Sequence, residues 1–415
     1  MDSKDKPIIQ LEDGWREIKQ IALDPLETML DEGLKKNKLF SNNDYMRVYT
    51  ACYDMCTQKT PYNWSEQLYH RHGETIGSYL QTKVLLSLKS KLDEFLLREF
   101  VKRGENHQLM NKWCTKFFVY LDRYHVKYQQ LPTLADSGMK KYKAIVYDSV
   151  KRDVTASLLR MIKEEREGNV IDRDLIKRCI AIYIQMGMGN TESYDADFEV
   201  HFLEATKDYY GSKADAWIIS DSTPSYLLKI ERLLNEEKSR VNNYLNPLTE
   251  TKLTITLEKE MLEKRETELL EKENSGLRVM LINDMIDDLS RLYKLFSRIN
   301  NGLDPIAEIF KQHILNIGNE KIEAYVARCE AENTAPPAAP TKGDKEDGKA
   351  AAAASGSSEK DDPQFIKDLL EVHAKFVKMV NEQFGSNSLF QKALKDAFVE
   401  LVNKETGKQR TTDLI

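Results

Sequence analysis

Four groups of residues have side chains of the types that chemistry requires. Residues 343 to 350, GDKEDGKA, nearly reproduce the GxxxxGK[ST] loop whose backbone N–H groups cradle phosphate. Ala350 stands where the metal-binding hydroxyl belongs, and no strand precedes the loop, so the anion-binding nest is not expected to form. Cys52 and Cys56 share a helical face, and His70 and His72 flank Arg71. Structural zinc needs four converging ligands and no second pair has a usable spacing, so core thiols and surface histidines are expected. Cys114 and His125 lie eleven residues apart without an orienting third group, which falls short of a nucleophile and its base. The run EKEMLEKRETELLEKE, 258 to 273, alternates in sign and reads as a solvated, ion-paired helix face. With no GxSxG, HExxH or calcium-loop pattern, no catalytic residues, no metal and no cofactor are expected.

Binding is better represented than catalysis. The stretch NDYMRVYTACYDMCTQ, 43 to 58, placed on a helix at about 100° per residue, puts Val48, Ala51, Cys52 and Met55 on one flank. Met46, Tyr49 and Tyr53 form a second flank, with Tyr45 and Cys56 between the two. The apolar arc exceeds half the circumference, wider than a surface helix shows to a single core. The second flank therefore needs a second occupant.

Composition says what kind of scaffold positions that helix. At 415 residues the chain is long enough for two to four units. Charged residues make up 31% and apolar residues 41%, which favours long solvated helices over a sandwich or barrel. A formal charge of -6 offers no general attraction to phosphate backbones or anionic lipid, so neither nucleic acid nor membrane is expected as a partner. An odd set of five cysteines and an N-terminus without an apolar core point to a reducing compartment, cytoplasm or nucleus. No run approaches the roughly 18 apolar residues of a membrane span.

Helical periodicity dominates from about residue 15, so the fold class is all-α. Clear segments are 92–103, 113–128, 225–245, 287–299 and 365–384, separated by loop signals such as Leu131-Pro132 and Asn300-Asn301-Gly302. Many such helices with short loops suggest a bundle or an α-solenoid. Residues 331–362, rich in Pro, Gly, Ser and charge, read as a disordered insertion, with Pro363 near the start of the next helix. Residues 1–14 read as a loose arm.

Three stretches carry a family likeness: FEVHFLEATKDYYGSKADAW (198–217), SYLLKIERLLNEEKSRVNNYL (225–245) and DDLSRLYKLFSRINNGLDPIAEIFKQH (287–313). With YMRVYTACYDMCTQK and FFVYLDRYHV they resemble, in order, the N-terminal half of cullins, the scaffolds of multisubunit ubiquitin ligases. Plant and protist first-class cullins, which pair with F-box proteins, are the most similar. The resemblance implies an elongated stalk of three stacked five-helix cullin repeats, at 15–148, 149–262 and 263–405, with a tail at 406–415. It implies that helices at 43–58 and 112–128 dock a BTB-fold F-box adaptor, and through it F-box proteins. The implied contacts are Tyr45, Met46, Tyr49, Tyr53, Tyr120 and Arg123, with Val119 and Val126 beside them, opposite a core face of Trp113, Phe117, Leu121 and Tyr124. The chain stops at ETGKQRTTDLI, where the likeness passes toward the RING-binding C-terminal domain, so that domain is expected to be absent and a RING protein is not expected to bind. The alternative is a helical membrane-tethering rod of the exocyst kind.

Overall fold

A computed structural model describes residues 7–32, 40–334, 363–406 and 409–410. These form two compact units, Met1–Ala205 with Ser239–Glu250, and Thr206–Lys238 with Thr251–Ile415. The first holds α1 (Leu11–Ile18), α2 (Asp24–Glu32), α3 (Asn42–Thr57), α4 (Ser65–Tyr79), α5 (Leu85–Lys89), α6 (Asp93–Phe117), α7 (Val119–Leu121), α8 (Leu134–Tyr142), α9 (Asp148–Arg166), α10 (Arg173–Met186) and α11 (Glu192–Tyr194). Two long helices, α12 (Val200–Ser220) and α13 (Thr223–Tyr244), supply residues to both units. The second unit contains most of α14 (Thr249–Met261), then α15 (Glu266–Leu270), α16 (Leu277–Ile282), α17 (Ile286–Phe296), α18 (Asp304–Thr334), α19 (Pro363–Glu382) and α20 (Ser388–Val402). Among the described residues the fold is all-α apart from one antiparallel pair of two-residue strands, β1 (Glu405–Thr406) and β2 (Gln409–Arg410).

Local chemistry starts and stops these helices. Thr133 caps α8 by accepting from the Asp136 N–H at 3.1 Å, and Asp172 caps α10 by accepting from the Leu175 N–H at 3.0 Å. Pro363 opens α19, where its missing N–H has no helical partner to lose. Gly168, with φ +95, ends α9 in a conformation that few other residues adopt.

Several sequence-based expectations change. The segments 92–103 and 113–128 are not separate helices: α6 runs unbroken from Asp93 to Phe117. Gly104 sits inside it without breaking it, because the missing side chain admits Ile182, whose Cδ1 would lie 2.6 Å from a Cβ there. Residues 11–14 of the expected arm belong to α1, where Gly14 is buried and leaves room for the Met55 thioether of α3. Residues 1–6 lie outside the described residues. Residues 331–334 of the expected insertion continue α18, while 335–362 lie outside the described residues. In the expected tail, Thr406 and residues 409–410 are paired strands.

Each unit closes around aromatic side chains. In the second, Phe310 meets Phe376, Phe384 and Phe390 with ring centres 5.6, 5.3 and 5.8 Å apart. Gly318 brings α18 against Leu401 of α20. In the first, the flank of α3 formed by Val48, Ala51, Cys52, Met55 and Cys56 is buried. Deeper charges are paired: Arg103 donates to Glu99 at 2.8 Å and to Asp31 at 2.6 Å, and Asp31 also accepts from the Tyr79 hydroxyl at 3.1 Å. A buried charge without such partners would cost several kcal/mol.

Candidate docking site

The site is built on α3. Its N-terminus is fixed by a reciprocal box: Ser41 Oγ accepts from the Asp44 N–H, and Asp44 Oδ2 accepts from the Ser41 N–H, both at 3.1 Å. Ser41 Oγ also donates to Asp44 Oδ2 at 2.7 Å, and this bond first, then the one from the Ser41 N–H, holds the Asp44 carboxyl below its ordinary range. With the helix start fixed and one flank committed to the core, the other flank turns outward at i, i+4 spacing. Tyr45 and Tyr49 stack with ring centres 6.3 Å apart, and Tyr49 and Tyr53 at 6.5 Å.

The second part comes from the segment C-terminal to α6. At Phe118 the backbone leaves the helical conformation, with φ −99 and ψ 23, and Phe117 and Phe118 are both fully buried. Phe118 packs against Trp15 and His72, at 6.3 and 5.4 Å between ring centres. Phe117 packs against Phe40, Trp113 and Tyr45. The chain then resumes as α7 and a π-helical turn, Asp122–Val126. This restart brings Tyr120 against Tyr53, edge to face at 4.8 Å, and Tyr124 against Tyr120 at 4.4 Å. Tyr45, Tyr49, Tyr53, Tyr120 and Tyr124 thus form one continuous ladder across two segments distant in sequence. Partial burial and then the neighbouring phenols raise the Tyr120 pKa, so its hydroxyl is a donor at neutral pH.

The structure sorts the expected contact residues. Met46 is 53% exposed, Tyr53 39% exposed, and Arg123 is exposed as well. Tyr45, Tyr49, Val119 and Tyr120 are half-buried. Val126 is a correction: at 3% exposure it belongs to the core and cannot meet a partner. Tyr124 is the converse, expected in the core but 59% exposed, and Tyr128, which sequence reasoning missed, is 84% exposed. Both errors have one cause. A uniform 100° per residue does not hold through residues 113–128, because the break at Phe118 and the π turn, with its i→i+5 bonding, shift the angular phase. The signal that could have found them is the spacing itself, since 120, 124 and 128 repeat the interval of 45, 49 and 53.

Other candidates resolve into structure. Cys52, Cys56 and Cys114 are buried thiols, and burial lifts the Cys114 pKa to about 12. His72 is a correction, since it is buried in α4 rather than on the surface, with neither ring nitrogen hydrogen-bonded. Among the described residues no group of His, Cys, Asp and Glu converges to hold a metal ion, and no helix is long and apolar enough to cross a membrane.

Comparison with known proteins places the chain in a family. Residues 23–415 match the family model described as the cullin alpha solenoid domain. The chain is 40% identical over its whole length to Cullin-1 of Oryza sativa subsp. japonica, covering 53% of that protein. It is 36% identical to Cullin-2 of Arabidopsis thaliana, with 98% of this chain and 52% of the relative aligned. It is also 35% identical to Putative cullin-like protein 2 of Arabidopsis thaliana, with 92% of each chain aligned. The chain therefore spans about half the length of the first two of these relatives. An all-helical chain matched by the family model over residues 23–415, and by relatives at this identity from end to end, belongs to the cullin family.

Proposed function

We propose that this chain is the substrate-side scaffold of a cullin-RING ubiquitin ligase, non-catalytic in itself, that binds a BTB-fold F-box adaptor and so positions F-box substrate receptors for ubiquitin-dependent catabolism. Cullins as a family act as scaffolds of such ligases, which supports the reading. On the same likeness, residues 15–148, 149–262 and 263–405 are three cullin repeats and the adaptor sits on the first, with the whole assembly working in cytoplasm and nucleus.

The observation that carries the proposal is the tyrosine ladder. Five rings in successive contact, with Met46 beside them, leave apolar and aromatic surface uncovered on an otherwise charged chain. Aromatic side chains offer large contact area at low entropic cost, and their hydroxyls still find partners at an interface rim. A contiguous patch of this kind marks an interaction site. The test is capture: the purified chain, immobilised, is expected to retain a purified BTB-fold F-box adaptor bound to an F-box protein, with micromolar or tighter affinity. Failure to retain it, while a known full-length cullin does so in parallel, would remove this adaptor class as the partner.

A further inference from the structure

Around the tyrosine ladder the charges are distributed unevenly. Arg123 and Lys127 are exposed, alternate with Tyr120, Tyr124 and Tyr128 along one strip, and have no ion-pair partner among the described residues. At the opposite end of the ladder the Tyr45 hydroxyl donates to the Lys116 carbonyl at 3.4 Å, and Lys116 Nζ lies 4.8 Å from the centre of the Trp113 ring. Three of the nearby carboxylates, Asp44, Asp122 and Glu17, are engaged. Asp44 is held in its box with Ser41, and Asp122 accepts from the Leu134 N–H at 2.9 Å. Glu17 binds Arg47 at 2.8 Å, whereas Glu66 is exposed and exerts only a charge effect on His125. The ladder therefore continues into a strip that carries two exposed cations, Arg123 and Lys127, with no ion-pair partner among the described residues, on a chain whose net charge is -6.

We propose that the docking surface extends past the ladder through Arg123, Tyr124, Lys127 and Tyr128, and that its occupant is an acidic protein surface, with carboxylates facing Arg123 and Lys127 around an apolar centre. This rests on the adaptor-docking reading above and assigns the chemistry of the partner's face. Exposed charges of this kind are screened beyond about 8 Å at physiological salt, so they contribute little once the complex has formed. Their effect is on encounter: they orient an oppositely charged partner and raise the association rate. The tyrosines, by contrast, set how long the complex lasts.

The experiment measures association and dissociation of the BTB-fold F-box adaptor, bound to an F-box protein, at 20, 150 and 500 mM NaCl. For the wild-type chain the association rate is expected to fall steadily with salt. Arg123→Gln/Lys127→Gln is expected to associate about fivefold more slowly at 20 mM, with the difference gone at 500 mM and the dissociation rate within twofold. Lys127→Glu should be slower still, whereas Lys395→Gln, which removes an exposed positive charge from α20 in the other unit, should match wild type and so separates local charge from net charge. Association rates that are equal for all variants at every salt concentration, while the complex still forms, would overturn this inference and leave the docking reading standing. Absence of binding by the wild-type chain at every salt concentration would overturn both.

Discussion

Simultaneous truncation of Tyr53 and Tyr120 to alanine is expected to weaken adaptor binding by at least a hundredfold. These two rings join the halves of the ladder, edge to face at 4.8 Å, one from α3 and the other from α7. Truncating a buried aromatic anchor typically costs about 2 kcal/mol, near thirtyfold in Kd, and central positions cost most. Because the rings touch, the two losses are not independent, and the double variant measures them as one unit. The loss should appear mainly as faster dissociation. Tyr53→Phe/Tyr120→Phe keeps the ring contact and is expected to bind within about tenfold of wild type. Val399→Ala, which removes an exposed apolar group from α20 in the other unit, should change nothing. Isothermal titration of the four proteins with the adaptor reads the affinities and surface plasmon resonance the dissociation rates, with helicity checked by circular dichroism. Affinity of the double alanine variant within threefold of wild type would place the interface elsewhere.

Acidification from pH 7 to pH 5 is expected to destabilise the first unit by about 2 kcal/mol for each of two histidines. His72 and His107 are both buried in that unit, and burial pushes each pKa down from 6.5 to about 4. At His72 the Lys141 charge adds to burial, whereas at His107 a hydrogen bond with the Gly138 carbonyl at 3.0 Å partly opposes it. The unfolded chain takes up these protons near pH 6.5, and the folded chain does not do so until about pH 4. The stabilisation is thus complete above pH 6.5 and is lost progressively as the pH falls from 6.5 toward 4. Glu27 and Asp122, both raised by burial, act in the opposite sense within the carboxylate range and blunt the fall at its acid end. Urea unfolding at pH 7 and pH 5, followed by tryptophan fluorescence in a Trp217→Phe background, reports this unit, because Trp15, Trp64 and Trp113 all belong to it. His72→Leu removes no hydrogen bond, since neither ring nitrogen has a partner, and should abolish about half of the pH dependence. A slope unchanged by His72→Leu would show that other groups control the acid response.

How much of the site was legible in the sequence depended on whether the helix in question was regular. For α3 it was: its periodicity separated the Val48, Cys52 and Met55 flank from the tyrosine flank, and the helix has no interruption between Asn42 and Thr57. The segment after Phe117 was not, because a break and a π turn change the phase without leaving a composition signal, which exchanged the roles of Tyr124 and Val126. His72 was misplaced for a different reason: an imidazole next to Arg71 looks solvated, and only the tertiary packing of Phe118 covers it. The grouping of α12 and α13 residues into two units was likewise invisible, since it depends on which helices share a core rather than on any local pattern. Family membership was the most legible feature, because several degenerate helical stretches in a fixed order are jointly specific, and it displaces the tethering-rod alternative.

The most direct test of the docking claim is a side-chain footprint of the complex. Brief hydroxyl-radical labelling of the chain, alone and saturated with BTB-fold F-box adaptor bound to an F-box protein, followed by peptide mass spectrometry, reports each exposed ring in place. Met46, Tyr53, Tyr124 and Tyr128 are expected to lose at least three-quarters of their labelling on binding, while exposed Leu370 and Val399 in the other unit keep theirs. A complex that forms with those four side chains labelled as in the unbound chain would contradict the assignment of the ladder as the docking face.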